Sequence, residues 1–338
     1  MKDDDDTRRQ AWSAYWAQGA LHSCTGSFDA RYSGAIGDFW DTFFADLAQE
    51  ERVLDLATGN GALPQRLWER EGTTEGLRID AVDLAALAPP WYRPDVHRGI
   101  TFRSGVAMEA LPYPDGTFDR VTSQFGLEYA RRPEALSECV RVARPGGSLA
   151  FVLHHAGSVL ASVGRVELEN QASLLAPDGL LVAARRVLPW IARARANAVV
   201  QADAARATRD RDAYNQAMAR LAANVAASAV PDALVEARDH VHGLVAGVTA
   251  ANLEASIESI DAYAEAMRSA ALRTREMLEH ALDPAQVADM AAYFESARPE
   301  CEVRYVPLVQ REGVLAWGFV VSPSASARTS SNGPSAPE

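Results

Sequence analysis

The chain has 338 residues, a formal net charge of -12 and a hydrophobic content of 48%. This supplies a sizeable core, and no stretch approaches the ~20 uninterrupted apolar residues of a membrane-spanning helix, so membrane insertion is not expected. The negative charge repels phosphate backbones, which makes nucleic acid a poor candidate partner.

Cysteine usage and the first residues bear on the cellular setting. Cys24, Cys139 and Cys301 are far apart, and no Cys-x-x-Cys or His-rich spacing indicates a metal site. The acidic start lacks the positive and apolar regions of a secretory signal peptide. We therefore expect a reduced, cytoplasmic setting and no metal.

Residues 1–49 have a helical pattern. Apolar side chains in the second half recur at the three-and-four spacing of one buried helix face, which predicts a helix packed on a sheet. These residues are Ile36, Phe39, Trp40, Phe43, Phe44 and Leu47. Ahead of them lie Trp12, Tyr15, Trp16, Phe28 and Tyr32, whose simplest role is to fix a helix to the core.

A glycine-rich turn follows the first predicted strand. The strand Val53-Leu54-Asp55-Leu56 runs directly into Ala57-Thr58-Gly59-Asn60-Gly61. Both glycines can adopt backbone angles closed to other residues and let a ligand approach the main chain. A helix predicted from about Ala62 to Glu71 directs its first amides into the same space. The pattern favours a nucleotide-like ligand, although such a turn can also simply close a βα unit.

The next predicted strand, Leu77 to Val82, ends at Asp83. This acid lies about 20 residues beyond the turn, as expected for a group that binds ribose hydroxyls. The third glycine of a dinucleotide fingerprint is absent, because Ala62-Leu63-Pro64 follows the turn. Its absence favours a ligand without phosphates.

Strands predicted near Val53, Ile79, Ile100, Val121 and Leu149 alternate with helices or loops. This alternation predicts an α/β fold with a doubly wound, mostly parallel sheet. Ligands of such sheets bind beyond the carboxyl ends of the strands, where the strand order reverses. The residues that follow strand ends should therefore converge on one crevice; they are Asp55 to Gly61, Asp83, Ala107 to Glu109 and Gln124 to Glu128.

These motifs resemble those of the class I S-adenosylmethionine-dependent methyltransferases. The family's first motif, acid-x-x-x-Gly-x-Gly, is matched by Asp55, Gly59 and Gly61, and the resemblance continues through residues 109–119, 121–127 and 141–147. It is strongest to the subgroup that contains the ubiquinone and menaquinone C-methyltransferases and many small-molecule methyltransferases. It covers roughly residues 52–153 and the last two strands, and implies a Rossmann-like, seven-stranded sheet. The implied cofactor is S-adenosyl-L-methionine, with S-adenosyl-L-homocysteine as product.

The resemblance also implies how the cofactor binds. Asp55 and the backbone of Gly59 and Gly61 would hold the methionine end, and Asp83 the ribose hydroxyls. The region before the first strand caps the cofactor in this family, and Tyr32 lies about where a tyrosine reaches the methionine carboxylate.

For the adenine end, the resemblance points to Met108 and Glu109. Ala107 stands where relatives often have an aspartate for the adenine amino group, so adenine binding would depend on backbone groups and on packing by Leu84 and Met108. The full predicted cofactor set is Tyr32, Asp55, Ala57, Gly59, Asn60, Gly61, Asp83, Leu84, Ala107, Met108, Glu109, Gln124 and Phe125.

Methyl transfer mainly requires that acceptor, methyl carbon and sulfur be held in line. A general base is needed only if the acceptor must lose a proton that water cannot readily take. His154 and His155, just past the fifth strand, are the best-placed histidines, and Glu128 and His22 are further candidates. Each could instead have a purely structural role.

Beyond the fifth strand the chain departs from a minimal methyltransferase. Residues 156–282 are rich in strong helix formers, which predicts a helical insertion that acts as an acceptor lid or as a homodimer surface. A helix from Asp283 to Ala297 then leads into a hairpin of strands Cys301 to Leu308 and Val314 to Val321. The predicted organisation is a cap (1–49), a core (50–155), the insertion (156–282), a segment completing the core (283–321) and a disordered tail (322–338).

Two functions fit this sequence. The first is methylation of a small or medium-sized organic acceptor, at oxygen or nitrogen rather than carbon, in specialised metabolite biosynthesis. The second is a non-catalytic protein of the same fold whose insertion binds a protein partner. The complete set Asp55, Gly59, Gly61 and Asp83 favours the enzyme.

Overall fold

The computed structural model of the chain describes residues 2–20, 33–48, 50–71 and 76–324. It divides into two compact units, one formed by Met1–Ala161 with Glu279–Glu338 and the other by Ser162–Leu278. The predictions made for His22, Tyr32, Phe28, Cys24 and the tail beyond residue 324 lie outside the described residues.

The first unit contains a seven-stranded sheet in the order β3-β2-β1-β4-β5-β7-β6. Its strands are β1 (Arg52–Leu56), β2 (Arg78–Asp83), β3 (Ile100–Ser104), β4 (Phe118–Gln124), β5 (Ala143–His154), β6 (Cys301–Gln310) and β7 (Gly313–Pro323). Strands β1 to β5 pair in parallel, whereas β7 is antiparallel to both β5 and β6. The predicted doubly wound, mostly parallel sheet is confirmed.

The C-terminal hairpin is longer than predicted. Past an irregularity after Leu308, the pairing continues through Val309 with Val314 and Gln310 with Gly313. Only Arg311 and Glu312 are left for the turn. Both strands are therefore longer, and the turn shorter, than predicted.

Helices flank the sheet and form the second unit. In the first unit they are α1 (Lys2–Ala17), α2 (Gly34–Phe43), α3 (Ala62–Glu71), α4 (Arg132–Val142) and α10 (Pro284–Ala297). The others are α5 (Val159–Leu175), α6 (Leu180–Arg195), α7 (Ala204–Ala227), α8 (Asp232–Gly247) and α9 (Leu253–His280). None of the helices in the described ranges combines the length and apolar character that a membrane span requires.

Alternating side chains divide the core of the first unit into two layers. Leu54, Leu56 and Phe151 point into the layer that includes α4 and α10, whereas Val53 and Val152 point into the layer that includes α2 and α3. This period of two is the geometry of a strand buried on both faces. Helix α2 packs on the sheet as its apolar pattern predicts.

The second unit has its own core, built from α5 to α9. Leu181, Leu188, Leu234, Val241 and Ile260 are among its buried side chains. The unit is narrower than the predicted insertion, because Leu282 is buried in the core of the first unit and its carbonyl accepts the Trp317 indole N–H.

The start of α10 allows a direct stability test. The Asp283 carboxylate accepts the main-chain N–H of Gln286 at 2.9 Å, and the Gln286 side chain accepts the N–H of Asp283 at 3.0 Å. Asp283→Ala should lower the free energy of unfolding by about 1 kcal/mol in urea titration, because a helix-end donor loses its acceptor. Asp283→Asn keeps an acceptor oxygen and should stay near wild type. Equal losses in both variants would assign the effect to the charge instead.

Candidate functional site

The strand order reverses between β1 and β4, and the predicted site residues gather at the carboxyl ends of these strands and their neighbours. The turn after β1 is fixed to β2, because Thr58 N–H donates to the Val82 carbonyl at 3.0 Å. The end of β4 is fixed to β5, because Phe125 N–H donates to the Val152 carbonyl at 2.8 Å. This edge is where open α/β sheets bind ligands.

The glycine turn has the backbone geometry that the sequence pattern predicts. Gly59 and Gly61 have φ values of +55° and +79°. A Cβ on Gly59 would lie 2.6 Å from the Trp16 ring, and one on Gly61 would lie 2.5 Å from the Phe102 ring. Both distances are far below a normal carbon contact, so neither position accepts a side chain without movement of an aromatic ring.

The Asp83 carboxylate is bound by main-chain amides. One oxygen accepts the N–H of Gly59 at 2.9 Å and the other accepts the N–H of Ala85 at 2.8 Å. Burial raises the pKa of Asp83, and these hydrogen bonds oppose the rise. Each carboxylate oxygen can accept more than one hydrogen bond, so both retain capacity for ligand hydroxyls.

Asp55 lies deeper, within β1, where its side chain accepts the Thr122 hydroxyl at 2.9 Å. Burial raises its pKa from 3.8 to about 7, and the hydroxyl contacts only partly offset this rise. The negative charge that Asp55 can present to a cationic ligand group therefore depends on pH near neutrality.

Asn60, predicted to contact the cofactor, anchors the end of α1 through its side chain. Its Nδ2 donates to the carbonyls of Trp16 at 2.8 Å and Ala20 at 2.7 Å, and its Oδ1 accepts the N–H of Ala88 at 3.3 Å. The side-chain amide thus has three partners within the chain. Asn60 can therefore contribute its main-chain groups to a ligand. The sequence carried no signal for this anchor.

The predicted adenine residues have mixed surroundings. Leu84 is 41% exposed, whereas Met108 is half-buried against the core. Glu109 accepts the main-chain N–H of Arg131 at 3.0 Å, directly before α4. Its carboxylate therefore satisfies a helix-end donor, a role that the sequence analysis missed. Ala107 supplies a main-chain carbonyl that accepts the Ala110 N–H at 3.2 Å.

Gln124 ends β4, and Phe125 begins the turn after it. The Trp40 indole N–H of α2 donates to Gln124 Oε1. Gln124 Nε2 and, nearby in sequence, Glu128 Oε2 are buried without a hydrogen-bond partner among the described residues. A buried polar group left unpaired costs about 1–3 kcal/mol, so the edge is suited to a polar ligand.

Two residues with a strained backbone lie at the same edge. Ala57 and Phe125, which follow β1 and β4, have φ values of +50° and +53°. For residues with a side chain this left-handed conformation is unfavourable by about 1–3 kcal/mol and is found where function constrains the chain.

The two adjacent histidines have separate surroundings. His154 Nδ1 lies 2.7 Å from Glu128 Oε1, and its ring stacks on Phe125 with centroids 4.2 Å apart. His155 Nδ1 accepts the N–H of Gly157 at 2.9 Å, and its ring stacks on Trp317. Burial lowers the pKa of His155. Of the candidate bases, the structure therefore brings Glu128 and His154 together and directs His155 elsewhere.

A series of aromatic contacts extends from His154 through Tyr129. Tyr129 presents its edge to His154 at 5.8 Å, stacks on His280 at 5.2 Å and meets Trp12 of α1 at 6.2 Å. No group of three or more His, Cys, Asp or Glu side chains in the described ranges could hold a metal ion.

Comparison with known families gives a match over residues 54–151, to a family described as a methyltransferase domain. The match begins in β1 and ends in β5. It therefore includes the glycine turn, Asp83 and the Glu128 turn, and ends before Ser162–Leu278.

Curated relatives come from quinone biosynthesis. Over 119 residues the chain is 42% identical to a demethylmenaquinone methyltransferase of Thermus thermophilus, covering 32% of this chain and 51% of that protein. Over 147 residues it is 33% identical to the ubiquinone/menaquinone biosynthesis C-methyltransferase UbiE of Paracoccus denitrificans, covering 39% of this chain and 57% of that protein. The chain thus spans about half the length of the curated relatives that it matches.

Solved structures show only distant overall similarity. An S-adenosylmethionine-dependent methyltransferase from Aquifex aeolicus gives a TM-score of 0.30 at 23% identity, covering 36% of this chain and 63% of that one. The 1,6-didemethyltoxoflavin-N1-methyltransferase of Burkholderia thailandensis gives 0.36 at 19% identity, covering 46% and 64%.

The raised pKa of Asp55 predicts a pH effect on stability. The folded chain holds a proton up to about pH 7 that the unfolded chain releases near 3.8. The contribution of protonated Asp55 to the free energy of unfolding is therefore complete below about pH 4 and is lost as the pH rises to about 7. Urea titrations across this range should show a fall of a few kcal/mol that disappears in Asp55→Asn, which cannot ionise. The same slope in both proteins would assign it to another group.

Proposed function

We propose, for a chain whose residues 54–151 form a class I S-adenosylmethionine-dependent methyltransferase domain, that the whole protein methylates a small or medium-sized organic acceptor. Methylation takes place at oxygen or nitrogen and leaves S-adenosylhomocysteine. The observation that carries the proposal is the Asp83 carboxylate, which accepts the N–H of Gly59 at 2.9 Å in a turn where neither Gly59 nor Gly61 has a side chain.

The cofactor supplies an electrophilic methyl group on a positively charged sulfur. The chain would bind it through Asp83 at the ribose hydroxyls and through the main chain of Gly59 and Gly61 at the methionine end. Asp55 would contribute negative charge near the methionine amino group. Leu84 and Met108 would contact the adenine, and Tyr32 is proposed for the methionine carboxylate.

The acceptor is proposed to be small and aromatic or apolar. Aromatic rings around a crevice with a few polar groups suit such a ligand, and Tyr129, His280 and Trp12 are joined by ring contacts beside Glu128 and His154. The curated relatives are a demethylmenaquinone methyltransferase and UbiE, a C-methyltransferase of ubiquinone/menaquinone biosynthesis. A second unit outside the family match supports a different, specialised acceptor for this chain.

Asp83 is the first residue to test. Charge-assisted hydrogen bonds to the ribose hydroxyls should be lost in Asp83→Ala, which should weaken S-adenosylmethionine binding by roughly 1.5–3 kcal/mol in titration calorimetry. Asp83→Asn keeps an acceptor for the Gly59 N–H and isolates the effect of charge. Asp95→Ala, which changes an exposed acid in the connection after β2, is the matched control. Wild-type affinity in both Asp83 variants would contradict the assignment.

We further propose that the unit Ser162–Leu278 determines which acceptor is methylated. It has its own core, and the chain leaves and re-enters the first unit at neighbouring points, because His155 pairs with Leu282. The unit can therefore be replaced by a short linker with little disturbance of the sheet.

Replacing Ser162–Leu278 by a Gly/Ser linker should keep S-adenosylmethionine affinity within about tenfold, or ~1.4 kcal/mol. The variant retains Leu282 and the His280 contact with Tyr129. We expect acceptor turnover to disappear, as measured by transfer of a radiolabelled methyl group. The alternative is that the unit forms a homodimer. In that case turnover would be unchanged, and the sedimentation coefficient would fall by more than the loss of the unit's own mass explains.

A further inference from the structure

We infer that Glu128 and His154 form a general-base pair, and that the acceptor carries a weakly acidic hydroxyl, as in a phenol or an enol. This inference rests on the proposed methyltransferase function and assigns its acceptor atom to oxygen.

The pair is held from two elements. Glu128 lies in the 3-10 turn Leu127–Tyr129 after β4, with its side chain fully buried. Its Oε1 accepts the main-chain N–H of His154 at 2.8 Å and lies 2.7 Å from His154 Nδ1. The imidazole stacks on Phe125 at the end of β4.

This contact determines which ring nitrogen can act. A carboxylate that accepts from Nδ1 keeps a proton on that nitrogen, so the neutral ring has its lone pair on Nε2. The same carboxylate stabilises the imidazolium that forms when Nε2 takes a proton. Glu128 therefore orients the ring so that Nε2 is the nitrogen that can take a proton.

A structural role alone does not require a charge at position 128. A neutral glutamine could accept the same two N–H groups through one oxygen. Instead the buried side chain is a glutamate whose Oε2 has no hydrogen-bond partner among the described residues. Burying a carboxylate is costly unless hydrogen bonds or a positive group compensate it. The main-chain N–H and the ring of His154 lie at hydrogen-bond distance, and the ring becomes positive when Nε2 takes a proton.

The position of the pair suits an acceptor. Asp83 ends β2, whereas Glu128 and His154 follow β4 and end β5, on the other side of the strand-order reversal. β2 and β5 are separated by three strand spacings, or about 14 Å. The pair thus lies apart from the residues proposed to bind the nucleoside, yet at the same edge of the sheet.

The proposed step is a proton transfer coupled to methylation. His154 Nε2 takes the hydroxyl proton, and the electrons of the O–H bond remain on the acceptor oxygen. That oxygen bonds to the methyl carbon as the carbon–sulfur bond breaks and its electrons remain on sulfur. Glu128 stays ionised beside the imidazolium, which then loses its proton to water.

Titratable side chains beside the pair include Tyr129 and His280. Tyr129 presents its ring edge to His154, and His280 stacks on Tyr129. His155 is next in sequence but contacts Gly157 and Trp317. A pH profile should therefore be compared with those of variants at positions 128 and 154.

The first experiment needs no acceptor. NMR of full-length protein with ring-nitrogen-labelled histidine, in the presence of S-adenosylhomocysteine, reports the tautomer of His154. We expect the neutral ring to carry its proton on Nδ1, because the Glu128 carboxylate lies at hydrogen-bond distance from that nitrogen. Glu128→Ala removes this acceptor and should allow the tautomer with its proton on Nε2 to appear. A proton on Nε2 in the wild type, or the same tautomer in Glu128→Ala, would overturn the inference.

The second experiment separates a base from a structural residue. Initial rates are measured with para-methoxyphenol and with the more acidic para-nitrophenol, which is largely ionised in the same mildly alkaline buffer. His154→Phe keeps an aromatic ring against Phe125 and should slow methylation of para-methoxyphenol by about 10²–10⁴-fold. Methylation of para-nitrophenol should slow by less than tenfold. Glu128→Gln should follow the same pattern, and the exposed control Glu134→Gln should match wild type.

The outcomes separate this inference from the proposed function. If the wild-type protein does not bind S-adenosylmethionine, the proposed function itself is contradicted. Normal binding with equal slowing for both phenols, or turnover of amines or carbon acids alone, would overturn only the base assignment. If neither phenol is methylated, the NMR result decides.

Discussion

The site depends on one interaction, the pair of hydrogen bonds that the Asp83 carboxylate accepts from the N–H groups of Gly59 and Ala85. It joins the end of β2 to the turn after β1, and the parallel register of Leu56 with Val82 brings the two together. A charged group that would bind a ligand therefore also shapes the backbone beside it. Burial raises the pKa of this carboxylate, and the two amides limit that rise.

Two adjacent strands end in strained turns that fit each other. Ala57 and Phe125 both have positive φ, and Gly126 follows Phe125. A Cβ on Gly126 would lie 2.3 Å from the Cβ of Ala57. The turn after β4 can therefore approach the turn after β1 only because one methyl group is missing. The buried strands on either side keep both turns in an unfavourable conformation, which is typical of a functional site.

Much of the fold could be predicted from local patterns, because apolar strands, glycine turns and their spacing are local properties of the sequence. The partners of individual polar side chains could not. Asn60 bonds to carbonyls that are 44 and 40 residues away, and Glu109 to an amide 22 residues away. The connection between β2 and β3 lacks a helix throughout its described residues 84–99, and Pro89, Pro90 and Pro94 were the available signal.

The two adjacent histidines differ because side chains alternate along a strand. In the sequence both follow the fifth predicted strand and both are candidate bases, but their side chains point to opposite sides of the sheet. His154 is the last residue of β5, paired with Ala316, and meets Glu128, whereas His155 meets Trp317. A shift of one residue in the register of β5 would exchange them and leave Glu128 without its partner ring. The position of Glu128 and the register of β5 therefore constrain each other.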